Sequence, residues 1–248
     1  MLIDTHCHLT KSDYGSIDEI VENMDGLMIT SGCNDETNIE VLDNISRYNN
    51  VFGTLGIHPS EIDKLTEISF KIIEENINNK KIVALGEIGL DYYWRKDNKE
   101  YQKEILKRQL DLAQKYGKPI VIHSREAIQD TYDILKQYNL KGSIHCFSSS
   151  LDMAKKFINL GYKIGVGGTL TFKNSKKIQE VVKNLSLEDI VLETDSPYLS
   201  PEPLRGKKNI PSNVKFVAEK ISQLKNINVD EVISVTNKTA MKLFMENE

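Results

Sequence analysis

Residues 82–123 read IVALGEIGLDYYWRKDNKEYQKEILKRQLDLAQKYGKPIVIH, and this stretch decides the fold class. It opens on a short aliphatic run, 82–87, which leads through a loop into an amphipathic segment, 99–116, where apolar residues recur every three or four positions. Gly117 and Pro119 supply the signals that end a helix, and a second aliphatic run follows them. The stretch therefore predicts two parallel strands joined by a helical, right-handed crossover.

The same unit recurs along the chain. Besides the strands at 82–87 and 119–123, further candidate strands lie at 2–6, 26–31, 51–57, 142–146, 162–166 and 190–194. Helical patterns alternate with them, among them 151–160 and a last one at about 230–245. Eight such strands in 248 residues predict one α/β domain over 1–248, a single (β/α)8 TIM barrel.

The alternative for this order of strands and helices is an open, doubly wound sheet. That fold commonly binds nucleotides through glycine-rich loops placed between a strand and a helix. Neither GxGxxG nor GxxxxGK[ST] stands in such a place here, so the closed barrel is favoured.

Composition narrows the class of protein. The chain has no apolar run of the ~18 residues that a membrane helix needs, and its first residues, MLIDTHCHL, do not resemble a signal peptide. The three cysteines are odd in number and far apart, which argues against a disulfide framework and favours a reducing compartment. We therefore expect a cytoplasmic protein with no membrane association. The net charge of −4 excludes a globally basic nucleic-acid binder but leaves room for a local basic rim.

Residues of metal-ligand type follow the predicted strands. All five histidines lie at strand ends, as do one glutamate and one aspartate: His6, His8, His58, Glu87, His123, His145 and Asp195. Catalytic groups of an α/β barrel come from the carboxyl ends of several strands, which meet at one face. The placement therefore predicts a metal site at this face.

The HxH pair at the end of the first strand has a direct geometric interpretation. Because side chains alternate along a strand, His6 and His8 point the same way, while Cys7 points away. Asp4 lies on the same face beneath them, where a buried carboxylate needs a hydrogen-bond partner. An isolated HxH pair can equally be two polar side chains that close a strand, so the metal interpretation depends on the other strand ends.

The acidic residues have ordinary alternatives as well. A lone aspartate or glutamate after a strand is more often a helix cap or part of an ion pair. Glu193 shares a face with Asp195 one layer deeper and is predicted to support the site, while Asp91 is predicted to serve loop structure.

Eight motifs, in order from residue 3 to about 244, resemble the TatD family of metal-dependent hydrolases. They are HCHL, GIHP, GEIGLDYY, IHSREA, HCFS, GVGGTLTFKN, ETDSPYLSP with RGKKN following, and TNKTAMKLF. The chain departs from the family pattern at Ser149, where glycine is usual, and at Thr239, where asparagine is usual. Neither residue is a candidate ligand.

The resemblance implies a TIM barrel that binds one or two divalent ions, with Zn, Mn, Mg and Co all compatible with the ligands. Six residues would bind them: His6, His8, Glu87, His123, His145 and Asp195. His6 and His8 would bind one ion, His123 and His145 the second, and Glu87 would lie between the two. Asp195 would join the first ion and act as the catalytic base.

The implied activity is hydrolysis of phosphodiester bonds in DNA, of the 3′–5′ exonuclease kind, by a monomer acting on single-stranded or frayed ends. His58 corresponds to a substrate-side residue, although loop hydrogen bonds would also account for it. Cations after the late strands are candidate phosphate ligands or simply solvated side chains: Arg125, Arg205, Lys207, Lys208 and Lys173. Three aromatic residues after Glu87 could stack on bases or pack the loop: Tyr92, Tyr93 and Trp94.

Two rival functions remain at this point. A metal-dependent deacylase or amidohydrolase, for example of aminoacyl-tRNA, would use the same ligands on another bond. A barrel that binds metal or nucleic acid without catalysis is disfavoured, because a degraded site should lack a ligand and none is missing here.

Overall fold

The computed structural model describes residues 1–246, which contain an eight-stranded parallel sheet whose strands are ordered as in the sequence. The strands are Leu2–Cys7 (β1), Gly26–Ser31 (β2), Val51–Leu55 (β3), Ile82–Asp91 (β4), Ile120–Arg125 (β5), Gly142–Ile144 (β6), Tyr162–Val166 (β7) and Ile190–Leu192 (β8). All ten residues of β4 are buried, as expected for a parallel strand between a barrel interior and a layer of helices.

Helices alternate with these strands and cover the sheet. They are Lys11–Tyr14 (α1), Asp18–Glu22 (α2), Asp35–Arg47 (α3), Glu67–Asn76 (α4), Lys99–Tyr116 (α5), Ile128–Leu135 (α6), Leu151–Asn159 (α7), Lys176–Asn184 (α8), Val214–Lys225 (α9) and Val229–Phe244 (α10). The predicted helix 99–116 is confirmed to the residue, and Gly117 ends it in the left-handed conformation with φ of 63°. Among residues 1–246, no helix is both long and apolar enough to cross a membrane.

The first strand and the segment after the last one close the barrel. The His6 carbonyl accepts a hydrogen bond from the Asp195 backbone N–H at 2.9 Å, and the His8 N–H donates to the Ser196 carbonyl at 2.7 Å. Cys7 forms a parallel bridge with Ser196. This seam confirms the predicted barrel over the open sheet, and it is built from the residues that carry the candidate ligands.

The predicted bounds of β4 were wrong at its carboxyl end. The strand was predicted over 82–87, with a loop after it. It continues to Asp91 because its pairing with β5 resumes after a register shift. In the resumed pairing Gly89 lies opposite His123, and Asp91 lies opposite Arg125. The extension carries the residues after Glu87 along the rim beside the end of β5.

The strand predicted over 51–57 stops at Leu55, and two strands near candidate ligands are also shorter than predicted. The strand predicted over 142–146 stops at Ile144, and Cys146 adopts a left-handed backbone with φ of 46°. The strand predicted over 190–194 stops at Leu192, because the Asp4 carboxylate accepts the Thr194 N–H and Asp195 has φ of 56°. In both places the chain turns out of the sheet at a candidate ligand.

Candidate metal centre

Four donor atoms converge at the carboxyl end of the barrel, from β1, β4 and the segment after β8. The Nε2 atoms of His6 and His8 lie 3.2 Å apart. Glu87 Oε2 lies 3.3 Å from His6 Nε2 and 3.6 Å from His8 Nε2. Asp195 Oδ1 lies 3.8 Å and 3.5 Å from the same two nitrogens. We call these four residues the first donor group.

The rings of the first donor group are held from behind by β2 and β3. His8 Nδ1 lies 3.1 Å from the Ser31 carbonyl oxygen, which can only accept, so Nδ1 carries the proton. In the neutral ring the Nε2 lone pair therefore faces Glu87 and Asp195. Ser31 Oγ lies 3.2 Å from His6 Nδ1 and accepts a hydrogen bond from Thr54, which fixes the second ring.

A second donor group forms around the other oxygen of Glu87. His123 Nδ1 lies 2.9 Å from Glu87 Oε1, and His58 Nε2 lies 3.7 Å from the same oxygen. The Asp91 carboxylate lies 3.0 Å from His123 Nε2, on the far side of the ring. Carboxylate–histidine pairs of this kind orient metal-binding histidines in proteins. Glu87 is thus the carboxylate common to both donor groups.

His58 has a tautomer different from that of His8. Its Nδ1 accepts a hydrogen bond from the Ser60 backbone N–H at 3.1 Å, so in the neutral ring the proton is on Nε2. Burial and the neighbouring His123 lower the pKa of His58 to about 3, so the ring is neutral at pH 7. The Nε2–H group therefore points toward Glu87 as a hydrogen-bond donor. His58 therefore makes hydrogen bonds within its loop and also lies at the candidate metal centre.

His145 lies nearer to the first donor group than the family resemblance implied, which paired it with His123. Its ring stacks on that of His6 with centroids 3.7 Å apart, and its Nε2 lies 3.6 Å from Asp195 Oδ1 and 3.9 Å from Glu87 Oε1. Its Nδ1 lies 3.0 Å from Glu193 Oε1, and that oxygen also accepts the Cys146 N–H. The structure thus places Glu193 behind His145, as Asp91 lies behind His123.

The centre combines buried carboxylates with histidines that compensate for their burial. Burial alone would raise the pKa of Glu87, but the neighbouring His58 and His6 hold it well below its usual range. Burial likewise opposes ionisation of Asp195, while His145 and His8 lower its pKa. Both carboxylates are therefore ionised at neutral pH and present anionic oxygens to the centre.

The backbone takes the left-handed conformation at three positions around the centre. Glu126, Cys146 and Asp195 have φ of 53°, 46° and 56°, and they follow or lie just beyond the ends of β5, β6 and β8. Residues other than glycine adopt this region at a cost, and such residues cluster at functional sites. Here the turns redirect the chain immediately at or after candidate ligands.

Asp4 lies beneath the centre, as alternation along β1 predicted. Its Oδ1 accepts hydrogen bonds from the backbone N–H groups of His6 and Thr194, and its Oδ2 accepts one from the Thr194 hydroxyl. Burial raises the pKa of Asp4 well above its usual range. The side chain fixes the backbone of two ligand-bearing segments rather than a histidine ring.

Several residues at the centre were not found from the sequence. Ser31 is the last residue of β2, and Thr54 lies one residue before the end of β3. The same alternation that placed His6 and His8 could have indicated them. Cys33 Sγ lies 3.9 Å from both His8 Nδ1 and Glu87 Oε2, and burial raises its pKa, so it is a neutral thiol. Asp91 was predicted to serve loop structure alone, and its contact with His123 is an additional role.

The residues predicted to bind substrate lie at the same end of the barrel, Arg125 as the last residue of β5 and the others on loops. Arg205 and Lys207 are exposed after β8, and the Arg205 guanidinium lies 3.8 Å from the Phe172 ring centre. Lys208 donates to the Asp13 carbonyl and so ties that loop to α1. Tyr92 is buried and donates to Asp130 at 2.8 Å, so for this residue the packing interpretation holds.

A cavity of about 160 Å³ opens beside His145. Its lining includes the side chains of Ser124, Ser148, Ser149 and Lys177. Lys177 is exposed, and no sequence motif indicated that it would face the site. The cavity therefore extends from His145 toward Lys177 on α8.

The donor sets fit divalent metal ions. Donors that share one ion at the usual 2.0–2.2 Å lie about 3–4 Å from one another. The His6 and His8 Nε2 atoms lie 3.2–3.8 Å from each other and from the nearest oxygens of Glu87 and Asp195. In four of the histidines, the ring nitrogen that faces away from the donor atoms lies beside an oxygen of Ser31, Asp91 or Glu193, as in most metal-binding histidines. They are His6, His8, His123 and His145. Mixed imidazole and carboxylate ligands suit several divalent ions and do not select one.

Comparison with known proteins finds a family model and relatives that cover nearly the whole chain. The model of the family described as TatD related DNase matches residues 3–245. An uncharacterized metal-dependent hydrolase of Bacillus subtilis, YabD, is 37% identical over 255 aligned positions covering all of both chains. The crystal structure of the TatD homologue YjjV of Escherichia coli superposes with a TM-score of 0.90 at 30% identity, covering 99% of this chain and 98% of that one.

A more distant structure supports the fold alone. A TatD family hydrolase of Entamoeba histolytica, 24% identical, superposes with a TM-score of 0.86 over 99% of this chain and 98% of that one. The match of the family model over almost the whole chain and the identity to full-length relatives lead to one conclusion. This chain belongs to the TatD family of metal-dependent hydrolases.

Proposed function

We propose that this protein hydrolyses phosphodiester bonds of DNA, removing nucleotides from the 3′ end of single-stranded or frayed strands with the help of one or two divalent ions. The observation that carries the proposal is Glu87, whose two oxygens lie in two separate donor groups. A carboxylate shared between two histidine sets is what a two-ion phosphodiesterase needs. One chain supplies every candidate donor, so a monomer would suffice, and the three free cysteines suit the cytoplasm.

In this proposal Asp195 accepts the proton of the attacking water. When bound, the divalent ions supply Lewis-acid activation of water and of a phosphoryl oxygen. Asp195 suits the role of base because its carboxylate is ionised at neutral pH and its Oδ1 belongs to the first donor group. His6, His8 and Glu87 would keep an ion bound beside Asp195 while the proton moves.

His58 would stabilise the substrate rather than bind an ion. Its Nε2–H faces the second donor group, where a phosphoryl oxygen would be presented, and a neutral imidazole can donate that proton in a hydrogen bond. Arg125, Arg205 and Lys207 would hold neighbouring phosphates, since guanidinium and ammonium groups pair with phosphate oxygens.

The test is turnover of a single-stranded DNA oligonucleotide labelled at its 5′ end, with each candidate metal added in turn to metal-free protein. We expect a ladder of products shortened one nucleotide at a time from the 3′ end. An aminoacyl-tRNA serves as the alternative substrate. Release of amino acid from it, with no shortening of the oligonucleotide under any metal, would replace the nuclease by a deacylase.

Arg205→Ala is expected to raise KM for the oligonucleotide, with kcat less affected, because the guanidinium would bind a phosphate away from the reacting bond. The slope of log KM against log salt should decrease by about one unit for each phosphate that the variant no longer neutralises. Lys207→Ala should behave alike. Arg108 is a matched control, since it is also exposed and stacks on a phenylalanine, Phe70, but lies on α5. An unchanged KM at every salt concentration would make Arg205 a solvated surface residue.

A further inference from the structure

An exposed aromatic pair lies at the rim of the barrel, outside both donor groups. Tyr93 and Trp94 follow β4 and keep 46% and 65% of their surface exposed, although residues of this size are usually buried. Their rings meet edge to face with centroids 4.8 Å apart. Large apolar side chains that stay exposed side by side mark a binding surface.

Arg125 joins the pair from the end of β5. Its guanidinium lies 3.8 Å from the Tyr93 ring centre and 5.4 Å from that of Trp94. The ion pairs within residues 1–246 do not include Arg125, so its charge remains available to an anionic ligand. We call Tyr93, Trp94 and Arg125 the aromatic platform.

The backbone beneath the aromatic platform is fixed by side chains. Asp91 Oδ1 accepts hydrogen bonds from the backbone N–H groups of Tyr93 and Trp94, at 2.9 Å and 3.0 Å. Gln102 donates to the carbonyl oxygens of Asp91 and Arg95 on either side of the turn. The rings are therefore presented on an ordered turn, and a ligand would lose little free energy in ordering it.

The same aspartate connects the aromatic platform to the candidate metal centre. Asp91 Oδ2 lies 3.0 Å from His123 Nε2, and His123 Nδ1 lies 2.9 Å from Glu87 Oε1. Two side-chain contacts thus lead from the turn that carries Trp94 to the carboxylate common to both donor groups. If one part of a ligand bound to the platform, the adjoining part of that ligand would lie at a fixed position relative to the metal centre.

We propose that the aromatic platform binds an unpaired nucleobase by stacking and so positions the adjoining phosphodiester at the metal centre. This rests on the proposed function and names the residues that select its substrate. Bases inside a duplex are covered on both faces, whereas an unpaired or frayed base has a free face for Trp94. Arg125 adds a cation at the edge of that base, where the phosphate of the same nucleotide lies.

Trp94 is the single tryptophan of the chain, so intrinsic tryptophan fluorescence reports on this site alone. The metal-loaded protein is titrated with oligothymidylate whose phosphorothioate linkages resist hydrolysis. An abasic oligomer of equal length carries the same backbone charge without bases. We expect oligothymidylate to quench the fluorescence strongly and the abasic oligomer to leave it nearly unchanged.

Variants separate stacking from charge, with affinity measured by anisotropy of a labelled oligomer. Trp94→Ala should weaken oligothymidylate binding roughly 5- to 100-fold, as expected for loss of one base–aromatic stack, and leave abasic binding unchanged. Trp94→Phe should restore most of the affinity. Tyr101→Ala is the control, because Tyr101 is also exposed, at 39%, but lies on α5 outside the platform.

Equal affinity of Trp94→Ala and wild type for oligothymidylate would overturn the platform, as would equal quenching by the abasic oligomer. These outcomes are independent of the turnover assay. A protein that shortens DNA while Trp94→Ala binds like wild type refutes the platform and keeps the nuclease. Normal quenching with no cleavage of any oligonucleotide refutes the nuclease and keeps the platform.

Discussion

Glu87→Gln is expected to lose most of its bound metal and, with it, its hydrolytic activity. Glu87 Oε2 lies 3.3 Å from His6 Nε2 in the first donor group, and Oε1 lies 2.9 Å from His123 Nδ1 in the second. The amide keeps the size but removes the negative charge that both groups share. Loss of an outer partner of a metal ligand weakens metal binding about 10–100-fold, and loss of a shared ligand should exceed that.

The measurement is metal content per chain by elemental analysis, together with kcat, for wild type and Glu87→Gln. Activity loss should track metal loss across a titration with added metal. Glu74→Gln is the matched control, an identical change at an exposed position on α4. Wild-type metal content in Glu87→Gln would remove Glu87 from the ligand set.

Asp195→Asn should keep most of its metal while kcat falls by about 10²–10⁴-fold, the usual worth of a general base. His6, His8 and Glu87 still offer three donors to the first group, whereas the amide cannot accept a proton at neutral pH. The backbone favours this substitution, because Asp195 has φ of 56° and asparagine tolerates that conformation better than most residues.

Asp195→Ala separates the two roles of this residue. Alanine lacks the oxygen ligand and is strained at positive φ, so both metal content and thermal stability should fall below those of Asp195→Asn. Metal content, melting temperature and kcat are measured together for the three proteins. Near wild-type kcat in Asp195→Asn with metal bound would mean that the proton leaves by another route.

Elements whose signals are local could be predicted from the sequence. The second and seventh strands were predicted at 26–31 and 162–166 and lie at those positions, and α5 matches its periodicity. Each depends on its own aliphatic or amphipathic pattern. The errors fall where distant residues decide the outcome. The end of β8 depends on Asp4, which is far from β8 in sequence and accepts a hydrogen bond from the Thr194 N–H.

The candidate site followed from the sequence in part. The placement of the ligand-type residues at the carboxyl ends of strands predicted that they meet at one end of the barrel, and the family resemblance assigned their roles. Neither source gives the position of a side chain around the rim. In the structure the His145 ring stacks on that of His6, with centroids 3.7 Å apart. The His123 ring lies beside that of His58 instead, with centroids 4.4 Å apart. This arrangement follows from barrel closure, which no local pattern encodes.

The seam between β1 and the segment after β8 also sets the order of events during synthesis. The first donor group joins His6 and His8 to Asp195, which is synthesised much later than the two histidines. A nascent chain that stops short of the last strand has the histidines without their closing partner. Completion of the first donor group is therefore a late step, coupled to the slow, long-range pairing that completes the sheet.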